Sequence, residues 1–150
     1  MSLLSQLSCS PLKPNEPAAN DGEVAALHPF VPVWQIVVEK GVRKLQQAFV
    51  FDDEKDAEKF VARLEKLAEM ENHHPVIEWK GRAVKVAWWT HVLGDIHPND
   101  FIMASKTEGA YTSTLVGAHT ATLDDVELPR LHEVSRFADA VGWRQELVEA

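Results

Sequence analysis

The stretch from Asp53 to Asn72 carries the strictest pattern in this sequence and constrains the fold most. Its apolar residues recur three and four positions apart, and charged residues fill most positions between them. Asp52 or Asp53 is a suitable N-cap, and Pro75 predicts that the helix ends near Asn72. Because one face is apolar, the rest of the chain must supply a surface that covers it. The apolar set is Ala57, Phe60, Val61, Leu64, Leu67 and Ala68.

Short segments with the alternation typical of β-strands lie on both sides of this helix. Residues 33–38 and 44–51 precede it. Residues 76–79 and 83–89 follow it as a hairpin that turns at Lys80 and Gly81. A second helix is predicted to begin at Pro98, which suits a first helical position, and to end by Gly109.

The two ends of the chain lack these patterns. Residues 1–32 are rich in Pro and Asn and predict a flexible leader, with one helical turn at 23–28 stopped by Pro29. Residues 109–150 form an extension that is predicted to be partly helical, because apolar residues return at helical spacing over 128–148.

Composition excludes several classes of function. The chain of 150 residues has 23 acidic and 15 basic side chains, a net charge of −8, so direct binding to nucleic acid is not expected. No apolar run approaches the roughly 20 residues of a membrane-spanning helix. Cys9 is the single cysteine and cannot form an internal disulfide. The first residues lack the pattern of a secretory signal, so a cytoplasmic location is expected.

Three histidines are the residues of this sequence that best suit a catalytic role. His73 and His74 lie at the predicted helix-to-strand turn, and His91 follows the last hairpin strand. An antiparallel return could bring all three to one opening. Imidazole titrates near about pH 6.5 and can both give and take a proton at neutral pH, so this group suits acid–base chemistry. Glu69, one helical turn before His73, and Asp100, in the first turn of the next helix, could orient it.

Other interpretations of these residues remain open at this point. A His-His-Pro sequence at a turn is often only a solvated loop, and Trp88 and Trp89 suit a core or an interface. A three-histidine zinc site of a hydrolase is a further alternative. Adjacent imidazoles rarely point at one ion, and no fourth ligand is evident, so we expect no metal.

The spaced set formed by residues 69–75, Thr90-His91 and Asp100 closely resembles the signature of the pterin-4a-carbinolamine dehydratases. The resemblance covers about residues 33–108, which we take as the working domain. It implies an α+β fold, a four-stranded antiparallel sheet with helices packed on one face. It also implies dehydration of 4a-hydroxytetrahydropterin to quinonoid dihydropterin in tetrahydrobiopterin recycling, without a metal or another cofactor.

The resemblance further implies roles for individual residues. His73 and His91 would act as acid and base, and His74 would bind and position the pterin with the backbone around Pro75 and Thr90. Glu69 and Asp100 would lie behind the histidines. The family also implies a homodimer or homotetramer. A non-catalytic module that binds a transcription factor's dimerisation helix is the alternative function, because Ile77, Gly81 and Trp88-Trp89 depart from the family's pocket walls.

Overall fold

The computed structural model describes residues 3–118 and 145–147. Two short 3₁₀ turns, Leu3–Gln6 and His28–Phe30, accompany the regular elements. In chain order these elements are α1 (Asp21–Leu27), β1 (Gln35–Glu39), β2 (Val42–Val50), α2 (Glu54–Glu71), β3 (Val76–Lys80), β4 (Ala83–Trp88), α3 (Pro98–Ala118) and β5 (Gln145–Leu147).

The strands form one antiparallel sheet in the order β1-β2-β4-β3-β5. The four strands predicted from alternation are present, with ends shifted by one or two residues, and the α+β class is confirmed. The short β5 adds a fifth strand beside β3. It falls in the stretch predicted to be helical, so that prediction is wrong for residues 145–147. The rest of the predicted helix, 128–144 and residue 148, lies outside the described residues.

Helix α2 forms where its pattern predicts. The Asp53 carboxylate accepts a hydrogen bond of 2.8 Å from the backbone N–H of Lys55, which satisfies one of the free donors at the N-terminus. Asn72 ends the helix in the left-handed conformation, with φ of 52°. The apolar face is buried, apart from Leu67, which is half-buried.

An aromatic cluster holds α2 and α3 against the same face of the sheet. Phe49 of β2 lies 5.0 Å from Phe60 of α2 and 4.8 Å from Tyr111 of α3, measured between ring centroids. On β4, the indole N–H of Trp88 donates to the Thr107 hydroxyl of α3 at 2.9 Å. The helices therefore cover the face that the sequence pattern leaves apolar.

The chain on both sides of residues 33–108 contains structure that the sequence pattern did not predict. Within residues 3–32 the structure has α1 and the buried side chains of Leu4, Ala19 and Val31, so this segment packs on the core and is not a loose leader. Helix α3 continues past Gly109, because burial of Tyr111 outweighs the low helix propensity of glycine. The domain limits at residues 33 and 108 stay a prediction.

No helix in the described part of the chain is both long enough and apolar enough to cross a membrane.

Candidate active site

The histidines of the turn and of the hairpin end meet at one cleft. His73 and His74 follow the C-cap of α2, and His91 follows β4. The antiparallel pairing sets Val76 opposite Ala87, so the start of β3 lies beside the end of β4. As a result, His73, His74 and His91 line a single cavity of about 630 Å³.

Asp100 is the buried centre behind this cleft. Its side chain is 0% exposed, and its Oδ1 lies 2.5 Å from Nε2 of His73. Its Oδ2 accepts hydrogen bonds of 2.9 Å from the Thr90 hydroxyl and from the backbone N–H of His97. Because a carboxylate only accepts, Nε2 of His73 carries the proton in this contact, and Nδ1 is the ring nitrogen left for a substrate.

His91 is held by an aromatic side chain from the strand end. Its ring stacks on Trp89 with centroids 4.3 Å apart and planes 17° apart. The ammonium group of Lys44 lies 4.1 Å from the centroid of the Trp89 ring. Trp89 is half-buried and packs against the core, as the sequence favoured, and it also supports the exposed imidazole of His91.

The other residues predicted for the site divide into two groups. Thr90 lines the cleft and is buried, and Pro75 is buried at the start of β3. Glu69 is exposed, and its backbone carbonyl accepts from Asn72 at the end of α2. In the described structure its side chain is not part of the cleft wall, which instead includes Glu71, two positions further along the helix.

The segment 9–12, which we name the N-terminal strap, forms another wall of the cleft together with Glu71 and Asn99. Burial, followed by the charge of Glu71, raises the pKa of the Cys9 thiol to about 12. The sequence pattern does not predict this wall, because the strap and its partners are separated by 62 and 89 positions. The Pro- and Asn-rich composition of residues 1–32, which include the strap, carried no signal of such contacts.

The described histidines outside the cleft have structural partners. Nε2 of His28 lies 2.7 Å from the carbonyl oxygen of Trp34, and Nε2 of His97 bonds to the carboxylate of Glu16. His119 and His132 lie outside the described residues. Within residues 3–118 and 145–147, no group of three or more His, Cys, Asp or Glu side chains is arranged to hold a metal ion.

Comparison with known proteins agrees with this geometry. The family model described as pterin 4 alpha carbinolamine dehydratase matches residues 17–110, which is more than half of the chain. The chain belongs to this family. The match begins before residue 33, so it includes α1 and the turn that follows it.

Two proteins from different organisms are similar to this chain over most of their own length. A protein of Marinobacter nauticus is 44% identical over 74% of this chain and 100% of its own length. One from Gloeobacter violaceus is 39% identical over 70% of this chain and 90% of its own length. Both carry the provisional name pterin-4-alpha-carbinolamine dehydratase.

A solved structure of the family has the same fold. It is described as a transcriptional coactivator/pterin dehydratase from Brucella melitensis, and it superposes with a TM-score of 0.58 at 26% identity. The superposition covers 63% of this chain and 98% of that chain. The family and these names point to a dehydratase, which is a lyase.

Proposed function

We propose that this protein removes water from a 4a-hydroxytetrahydropterin and releases quinonoid dihydropterin. The observation that carries the proposal is the meeting of His73, His74 and His91 at one cleft, with His73 backed by the buried carboxylate of Asp100. Membership of the dehydratase family supports the same reaction. The cavity of about 630 Å³ is within the usual range for a small-molecule site.

The reaction needs one group that donates a proton to the leaving hydroxyl and one group that accepts the proton from N5. His91 donates a proton to the C4a hydroxyl, the C4a–O bond breaks, and water leaves. The electron pair on N5 forms the C4a–N5 double bond, and Nδ1 of His73 takes the proton from N5. Each such transfer contributes about 10²- to 10⁴-fold in rate. The products are therefore one dihydropterin and one water.

The surrounding groups favour this division of roles. Asp100 holds the Nε2–H tautomer of His73, which leaves the Nδ1 lone pair available as a base, and its negative charge stabilises the imidazolium that forms. Trp89 restricts the ring of His91 by stacking. His74 binds and positions the pterin ring. We place the reaction in the recycling of the tetrahydrobiopterin used by aromatic amino acid hydroxylases.

Stopped-flow absorbance of carbinolamine decay, measured with and without the protein, tests the proposal. We expect the wild-type chain to accelerate the decay and the double variant His73→Ala/His91→Ala to return it to the uncatalysed rate. His28→Gln is the matched control, since His28 contacts the Trp34 carbonyl outside the cleft, and it should retain the wild-type rate. Circular dichroism checks that all variants fold.

Two outcomes would contradict the proposal. Wild-type turnover by the folded double variant would remove the assignment of acid and base. If the wild-type chain does not accelerate the decay, the proposed dehydratase function is wrong. The protein-interaction module is then the interpretation to test.

A further inference from the structure

The N-terminal strap (residues 9–12) lies before the part of the chain that the family model matches, which begins at residue 17. Nevertheless, it lines the same cleft as the three histidines. This wall is therefore a feature of this chain that the family match does not account for.

The strap is fastened to the cleft by two side chains. The backbone N–H of Cys9 donates to Oε1 of Glu71 at 2.8 Å. Ser10 is held twice, because its N–H donates to Oδ1 of Asn99 at 3.1 Å and its carbonyl accepts from Nδ2 of Asn99 at 2.9 Å. The amide of Asn99 thus pairs with the strap backbone as a neighbouring strand would. Asn99 is only 7% exposed, whereas Ser10 is exposed, so both hydrogen bonds are partly shielded from water.

The chain on both sides of the strap is also anchored. Before it, the carbonyl of Ser5 accepts from the Lys106 ammonium group at 2.9 Å. After it, the Glu16 carboxylate bonds to His97, and the Ala19 N–H donates to the Ile96 carbonyl at 2.9 Å. Contacts at each end limit how far the strap can depart from the cleft.

We propose that the strap is a wall of the substrate site and that Glu71 and Asn99 are positioning residues that hold it against the bound pterin. The inference rests on the proposed dehydratase function. Pro11 and Leu12 have no polar side-chain atoms, and both line the cleft. Such a surface suits the apolar face of the pterin ring system, while the histidines supply the polar contacts.

The proposal predicts that releasing the strap raises KM and leaves kcat nearly unchanged. If only molecules with a closed strap bind the pterin well, the apparent dissociation constant rises by the factor by which the closed fraction falls. Asn99→Ala removes both hydrogen bonds to Ser10, and Glu71→Ala removes the acceptor for Cys9. We expect each variant to raise KM about ten-fold. Because the histidines are unchanged, kcat should stay within about two-fold.

Glu71→Gln is the conservative variant that separates a positioning role from a direct charge effect. Its amide oxygen can still accept from the Cys9 N–H, so it should keep the wild-type KM. Asn20→Ala is a second control, because it removes the N-cap of α1 in the same segment and leaves the strap contacts in place.

Cys9 provides a readout of strap position that does not depend on catalysis, because it is the single cysteine of the chain. The thiolate is the species that reacts with 5,5′-dithiobis(2-nitrobenzoic acid), and burial keeps its fraction low. Releasing the strap exposes the thiol. We expect labelling at least about ten-fold faster in Asn99→Ala than in wild type, and in Glu71→Ala than in Glu71→Gln, a pair of variants that both lack the Glu71 charge. Binding of 7,8-dihydropterin should slow the labelling of the wild-type protein.

The possible results are distinguishable. If the wild-type chain does not accelerate dehydration, the proposed function fails, and protection of Cys9 by 7,8-dihydropterin still tests the strap. If the wild type catalyses but released variants keep its KM, the strap proposal is overturned, whatever their labelling rate. If Glu71→Gln loses affinity as Glu71→Ala does, Glu71 acts through its charge and not as an anchor. Should Asn99→Ala not fold, the two Glu71 variants carry the test.

Discussion

Replacing Asp100 by Asn keeps the size of the buried side chain and reverses one of its hydrogen bonds. Three donors point at the carboxylate, from His73, Thr90 and the backbone of His97. An amide has one oxygen and one NH₂ group. If its oxygen keeps the donors of Thr90 and His97, its NH₂ group faces Nε2 of His73. The NH₂ group of the new side chain and the Nε2–H of His73 are then two donors that face each other, unless His73 moves its proton to Nδ1.

That tautomer change removes the proposed base. Nδ1, the nitrogen that faces the substrate in our mechanism, would become a donor and could not take the N5 proton. The variant also loses a hydrogen bond to a charged group, which is worth about 1.5–3 kcal/mol. Applied to the transition state, this range predicts a fall in kcat/KM of roughly 10- to 150-fold.

Stopped-flow kinetics measures kcat/KM, and ¹⁵N NMR of the histidine rings identifies the tautomer of His73. We expect the kcat/KM loss together with a shift of the His73 signals from the Nε2–H to the Nδ1–H tautomer. Asp53→Asn is the matched control, since Asn caps a helix as well as Asp does and Asp53 lies at the start of α2. A folded Asp100→Asn variant with at least half the wild-type kcat/KM would refute the reasoning.

Two predictions concern stability. Phe60→Ala removes a fully buried ring from the aromatic cluster and should lower the free energy of unfolding by about 3–5 kcal/mol. A loss below about 1 kcal/mol in urea unfolding would contradict this packing. The Arg43 guanidinium holds the pKa of Asp95 below its usual 3.8, so the pair stabilises the fold fully above that pH. The stability difference between wild type and Asp95→Asn should therefore shrink as the pH falls through about 3.8 and below, and a difference that stays constant in urea titrations from pH 7 to 2.5 would argue against the pair.

The sequence by itself determined the elements whose pattern is local. Helix α2 follows from the spacing of its apolar side chains, with Asp53 and Asn72 as its caps. The hairpin follows from two alternating segments around a glycine turn at positive φ. Its antiparallel pairing also made it reasonable to expect His73 and His91 at one opening. The helix and the hairpin depend on neighbours within a few positions, and the expectation for His73 and His91 follows from the hairpin.

A motif match could not predict which side chains at the end of α2 lie at the cleft. Glu69 and Glu71 are two residues apart, which turns them by about 200° around the helix. The signature contains Glu69, whose role behind the histidines stays a prediction, whereas Glu71 lines the cleft. The packing of α2 on the sheet decides which of its side chains reach the cleft.

The tertiary structure decided which polar groups are buried and what they bind. The sequence offered Asp100 only as a residue that could orient His73, and it is the packing of α3 that buries it completely between the chain segments that carry His73 and Thr90. The strap contacts join residues up to 89 positions apart. A buried polar group must find a partner wherever the fold brings one, so the partners of Asp100 and of the strap depend on the assembled core and not on local pattern.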